Sequence, residues 1–169
     1  MEWDQHKREI PCKQHGNEIT ILGGDLDDLT GQRMYDYNSD KMVEVPAEGF
    51  DLLVSGFPCT GLSGLNAQPE KFLSYTGKTG KPRHRMIEWI QKAKPRAILL
   101  ENVKQIVAYR KQDSARPIDI QEGKMKKLGY SCSHVLLNSR NFHTAQSRLG
   151  CTCGIFCKAR AMQQASRNS

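Results

Sequence analysis

Cys59 follows Pro58 at the end of an apolar run, inside SGFPCTGLSG (55–64). A thiol just past the carboxyl end of a strand is placed for covalent chemistry, because open parallel sheets bind ligands along that edge. Glu101 closes a second apolar run, RAILLE (96–101). If the two runs are parallel strands joined by one long loop and one helix, their carboxyl ends share an edge, and thiol and carboxylate stand roughly 5 to 10 Å apart. A thiolate facing a carboxylate in a basic protein suits nucleophilic catalysis, with the acid managing protons on the substrate. The competing reading is structural: free cysteine packs as a small hydrophobe, and Glu-Asn after a strand caps a helix.

The elements that must position these residues are legible as apolar runs. EITIL (18–22), FDLLVSGF (50–57), RAILLE (96–101) and SHVLLN (133–138) are continuous, the mark of strands buried on both faces. Between them RHRMIEWIQKA (83–93) spaces Met86, Ile87 and Ile90 for a helix, and IDIQEGKMKKLGY (118–130) does the same with Ile118, Met125 and Leu128 before a Gly129 stop. The order βαβαβ predicts an α/β fold, a mostly parallel sheet with helices on both faces. Residues 30–49 and 64–82 read as surface loops, and the stretch from Lys158 as a polar tail, 158–169.

A chain of 169 residues, 38% hydrophobic, predicts one core and one domain. No segment reaches the roughly 18 apolar residues of a membrane span, so no membrane partner is expected. Six cysteines in a chain this long read as reduced thiols of an intracellular protein, nuclear if the source is a eukaryote. The net charge of +7 suits a polyanion such as nucleic acid. Lys71, Lys78, Lys81, Arg83 and Arg85 cluster in and just after the loop that follows Cys59, where they are expected to grip phosphates.

Several motifs, in order, resemble the cytosine-C5 DNA methyltransferases. GFPCTGLSG is similar to the family's nucleophile loop, ENV (101–103) to its glutamate motif, and NSRNFHTAQSR (138–148) to the segment ending in Gln-x-Arg, here Gln146 and Arg148. Upstream, GGDLDDL (23–29) resembles the strand end whose aspartate, Asp25, meets the cofactor adenine. EWD (2–4) resembles the acidic strand end where Glu2 would bind ribose hydroxyls and Trp3 would pack on adenine. The resemblance implies a Rossmann-like S-adenosylmethionine-dependent fold and double-stranded DNA as partner, with the target cytosine flipped out. It also implies roles: Cys59 adds to cytosine C6, Glu101 holds N3 and the exocyclic amine, and Arg148 supports the substrate. Pro58 joins Glu2, Trp3 and Asp25 on the cofactor side; Ser63, Gln146, Arg83 and Arg85 are on the substrate side, and Asn102 positions the loop.

The sequence also departs from the family. Gly150 replaces a second arginine, Ala145 replaces the proline before Gln146, and no glycine-rich first motif precedes Glu2. The expectation is a partial catalytic domain over 1–157 that lacks its first strand and glycine loop and binds S-adenosylmethionine weakly: a fragment, a truncated gene product or a degraded copy. Three rival readings are an RNA cytosine-C5 methyltransferase, a non-catalytic relative that binds no cofactor, and a zinc module built on Cys151, Cys153 and Cys157. The last has a spacing unlike zinc knuckles.

Overall fold

A computed structural model of the chain describes residues 4–15, 18–56, 80–109, 115–138 and 151–159, with Cys12 and 151–159 described by their backbone alone. Helix α1 (Gln5–His15) comes first, then a 3-10 turn (Leu26–Thr30) and a hairpin of β1 (Arg33–Asp36) and β2 (Lys41–Glu44). The main layer follows as β3 (Leu52–Gly56), α2 (Gly80–Ala93), β4 (Ala97–Val103), α3 (Pro117–Lys127), β5 (Tyr130–Asn138) and β6 (Cys151–Ala159). Among the described residues no helix is long and apolar enough to cross a membrane.

The predicted helices form, with boundaries set by backbone chemistry. Pro82 falls in the first turn of α2, where no intrahelical amide is lost. The helix stops at Lys94, whose φ of 46° is left-handed and whose amide still bonds to Ile90 O at 2.9 Å, and Pro95 follows. Pro117 opens α3, and Gly129, at φ 91°, ends the turn after it.

The sheet order is β3-β4-β6-β5. β3 and β4 pair in parallel, whereas β6 is antiparallel to both β4 and β5. Three strands therefore run one way, as βαβαβ requires, and β6 is the reversed strand, so the expected mostly parallel sheet has a single parallel ladder among the described residues.

Helices were expected on both faces; among the described residues, α2 and α3 share one. Ile98 and Leu100 of β4, both 0% exposed, share one cluster with Met86, Trp89 and Ile90 of α2 and with Ile118 and Met125 of α3. Leu52, Val54 and Leu99, on the alternate positions of β3 and β4, are exposed, whereas β5 exposes Val135, Leu136 and Leu137 alike. Strand connections keep one hand, and the order from β3 through β4 to β5 never reverses across the sheet, so α2 and α3 fall on the same side. The continuous apolar runs are likewise half-exposed rather than buried on both faces.

Two other expectations change. Residues 18–22 form no strand: Leu22 N–H donates to Asp36 Oδ1 at 2.8 Å, Leu22 O accepts from Tyr37 N, and Ile19 O accepts from Asn38 Nδ2. The segment's backbone groups are satisfied by the hairpin turn instead of by a ladder. The supposed loop at 30–49 contains that hairpin. Its turn is held by the Asp36 carboxylate, which accepts from Asn38 N at 3.0 Å and Ser39 Oγ at 2.5 Å. Burial pushes the Asp36 carboxyl up, but the bonds from Ser39, Leu22 and Asn38 outweigh it and hold the group below the usual carboxylate range.

One-sided cover makes a direct prediction. Leu100→Ala should cost about 2–5 kcal/mol in urea unfolding, whereas Leu99→Ala, at a position 38% exposed, should cost under about 1 kcal/mol. Equal costs would mean that the second face is covered.

Candidate functional site

Glu101 owes its position to strand period. Ile98, Leu100 and Asn102 are buried under the helices, so Leu99 and Glu101 must point to the open face. The parallel register sets Leu52 opposite Ala97 and Gly56 opposite Glu101. β3 and β4 are thus hydrogen-bonded neighbours whose carboxyl ends share an edge, the arrangement expected from the sequence. Cys59 is three residues beyond Gly56. Cys59 itself lies outside the described residues, as do Glu2, Trp3, Pro58, Ser63, Gln146 and Arg148.

Asn102 faces away from Glu101, into the helix-covered side, where it is 1% exposed and its Oδ1 accepts from Val103 N at 3.0 Å. The turn after β4 (Lys104–Val107) is anchored by buried Ile106. The carboxylate is therefore carried on a strand end fixed on both sides.

Asp25 caps the 3-10 turn. Its carboxylate accepts from Asp27 N at 3.0 Å, while Asp28 Oδ2 accepts from Asp25 N at 3.3 Å. Next to it runs a groove of about 740 Å³ between the 19–29 segment and β3, lined by Ile19, Ile21, Leu26, Leu53, Met86 and Trp89 among others. Sequence reasoning missed this groove. Its one signal was the run 18–22, read as a buried strand, whose apolar residues in fact form a wall.

The basic cluster divides. Arg83 is not on the surface, as its expected contact with substrate requires: it is 0% exposed, and its Nε donates to Gln121 Oε1 at 2.7 Å. Burial pushes its guanidinium down to about 10, so it is still charged at neutral pH. The spacing of Arg83 with Met86 and Ile90 put it on the apolar face of α2, and that was the signal available in the sequence. Arg85 and Lys81 both reach Asp27, with Arg85 Nε at 3.0 Å, and Arg85 also pairs with Glu88 at 2.9 Å. The Lys81 hydrogen bond is the main reason that the Asp27 carboxyl sits below its usual range; burial works the other way, and Arg85 adds to the lowering. Lys71 and Lys78 lie outside the described residues.

Comparison with known proteins gives a match to the family model described as C-5 cytosine-specific DNA methylase over residues 2–158. The chain is 26% identical over 147 residues to the type II methyltransferase M.HaeII of Haemophilus aegyptius, covering 87% of this chain and 39% of that protein. It is 35% identical over 107 residues to M.BanI of Aneurinibacillus aneurinilyticus, covering 59% and 22%. It is also 25% identical over 129 residues to DNA (cytosine-5)-methyltransferase 1 of Mus musculus, covering 76% and 7%. The chain thus spans well under half of the length of these relatives.

The Asp27 pair is exposed and should be weak. Asp27→Asn should lower stability by no more than about 1 kcal/mol at low salt, and by less at high salt, in urea unfolding. Because the folded carboxyl is depressed, its contribution is present above the unfolded value of about 3.9 and fades as pH falls through the lower folded value. The difference between wild type and Asp27→Asn should accordingly begin to narrow below about pH 4 and close once the pH is under the depressed folded value.

Proposed function

Because the chain belongs to the C-5 cytosine-specific DNA methylase family, we propose that it is a DNA (cytosine-5-)-methyltransferase catalytic domain of Rossmann-like fold, acting on a cytosine flipped out of duplex DNA. The observation that carries this reading is the parallel register of Gly56 with Glu101, from which the chain needs three more residues to reach Cys59.

In this reading the Cys59 thiolate adds to C6 of cytosine, forming a carbon–sulfur bond, and the electron pair of the C5–C6 double bond moves to C5. Glu101 holds N3 and the exocyclic amine, which stabilises the ring as its aromaticity is lost. Arg148 supports the ring, Ser63 and Gln146 meet the substrate strand, and Pro58 shapes the nucleophile loop. S-adenosylmethionine would supply the electrophilic methyl group to C5, its sulfur leaving with the bonding pair as S-adenosylhomocysteine. Departure of the C5 proton then returns an electron pair to the ring, and cleavage of the carbon–sulfur bond frees the thiolate. Flipping is needed because a stacked base hides its C6 face.

A nucleoside cofactor would be bound beside β3. A groove of about 740 Å³ is within the usual range for small-molecule sites, roughly 300–1,000 Å³. Asp25 lies between two of its lining residues, Gly23 and Leu26. Asp25, Glu2 and Trp3 would hold the adenosine end of the cofactor. On the DNA side, Lys71, Lys78, Lys81 and Arg85 would meet phosphates, Lys81 and Arg85 by exchanging Asp27 for the backbone.

Two measurements test the reading. Duplex DNA carrying 5-fluorocytosine, with S-adenosylmethionine, should trap a covalent adduct, since fluorine cannot leave C5 as the proton does. Cys59→Ala should abolish the adduct, and an equal yield would overturn the assignment. Reversing the charges of Lys71 and Lys78 should weaken DNA binding for all sequences alike and flatten the salt dependence by about two counterions. An unchanged slope would remove those lysines from the interface.

A further inference from the structure

Gly56 has no conformational reason to be glycine. Among the described glycines a positive φ occurs at Gly49 and Gly129, not at Gly56. Inside a strand, glycine sacrifices side-chain packing and costs chain entropy, and it persists where another group comes close. The close group here is identifiable. A Cβ built on Gly56 would stand 3.3 Å from Glu101 Oε2, and among the described residues no other non-neighbouring atom comes within 4 Å of it.

We propose that Gly56 is a positioning residue for Glu101: the missing side chain leaves the space over β3 into which the Glu101 carboxylate leans. This rests on the catalytic reading of Glu101 but is a separate claim about geometry. Parallel pairing puts the two residues side by side on the open face of the sheet, one pair beyond Val54 and Leu99. On that face, α2 and α3 do not confine the Glu101 side chain. Both neighbouring strands set a glycine opposite it, Gly56 on β3 and Gly154 on β6, and the carboxylate leans to the β3 side. A methyl group at 56 would close the space toward β3, the strand that leads directly to Pro58 and Cys59, and turn the carboxylate away from it. The side chain is long and half-free, so it yields by changing rotamer rather than by unfolding the strand.

The test compares Gly56→Ala with the unaltered chain. Three-bond couplings should show Glu101 χ1 populations shifting to a different rotamer in the variant; unchanged populations would overturn the proposal whether or not the chain is active. In the 5-fluorocytosine assay, Gly56→Ala should lower the adduct rate at saturating DNA by about tenfold or more while DNA affinity changes less than about twofold. In a Glu101→Ala background, where the contact is gone, the same substitution should cause no further fall. An equal fall in both backgrounds would mean that Gly56 acts on the loop and not through Glu101. If Gly56→Ala fails to fold, Glu101→Asp, shorter by one methylene, should restore folding, and failure to do so would also overturn the contact. A chain that traps no adduct in any form counts against the catalytic reading alone, and the rotamer populations still decide the role of Gly56.

Discussion

Burial of Ile98 and Leu100 beneath two helices is the constraint from which the rest of the site follows. Both side chains are fully enclosed, and each is worth about 1.5–3 kcal/mol for leaving water. Their phase along β4 fixes the phase of every other residue on the strand. A slip of one residue would put the Glu101 carboxylate into the apolar cluster and Leu100 into water, so register is strongly specified. Glu101 is on the open face because its neighbours cannot be, and Gly56 meets it because β3 pairs with β4 in that same register.

The same logic explains the asymmetry of the molecule. Strand order advances in one direction from β3 to β5, and connections of one hand then lay α2 and α3 on one side. The outer edge of β3 borders the groove, with the 19–29 segment as its far wall. That wall is held both by packing, with Leu22 buried and Leu29 against the core cluster, and by polar contacts, above all the Asp36 carboxylate reaching Leu22 N.

Much of this was legible in the sequence, because periodicity and punctuation are local. The helices around Met86 and Met125, the stops at Pro95 and Gly129, and the parallel strands ending at Gly56 and near Glu101 followed from residues a few positions apart. What was not legible depends on distant partners. The run at 18–22 is as apolar as a strand, and only the side chains of Asp36 and Asn38 divert its backbone from a ladder. Cover on one face instead of two is a property of strand order, which no run of residues encodes. Arg83 was grouped with its basic neighbours by charge, although its place on the stripe of Met86 and Ile90 carried the better signal.

That placement changes how the net charge of +7 should be understood. A formal excess of cations suggests an electrostatic footprint, yet the described cations near the site already have work inside the protein. Arg83 joins α2 to Gln121 of α3, and Lys81 and Arg85 join α2 to the 3-10 turn through Asp27. A polyanion arriving at this edge must compete with Asp27 for two of its cations. Because that ion pair is exposed, the exchange costs little. Asp27 itself ties the first turn of α2 to the turn capped by Asp25, so the same ion pairs that occupy these cations also hold one wall of the groove beside β3.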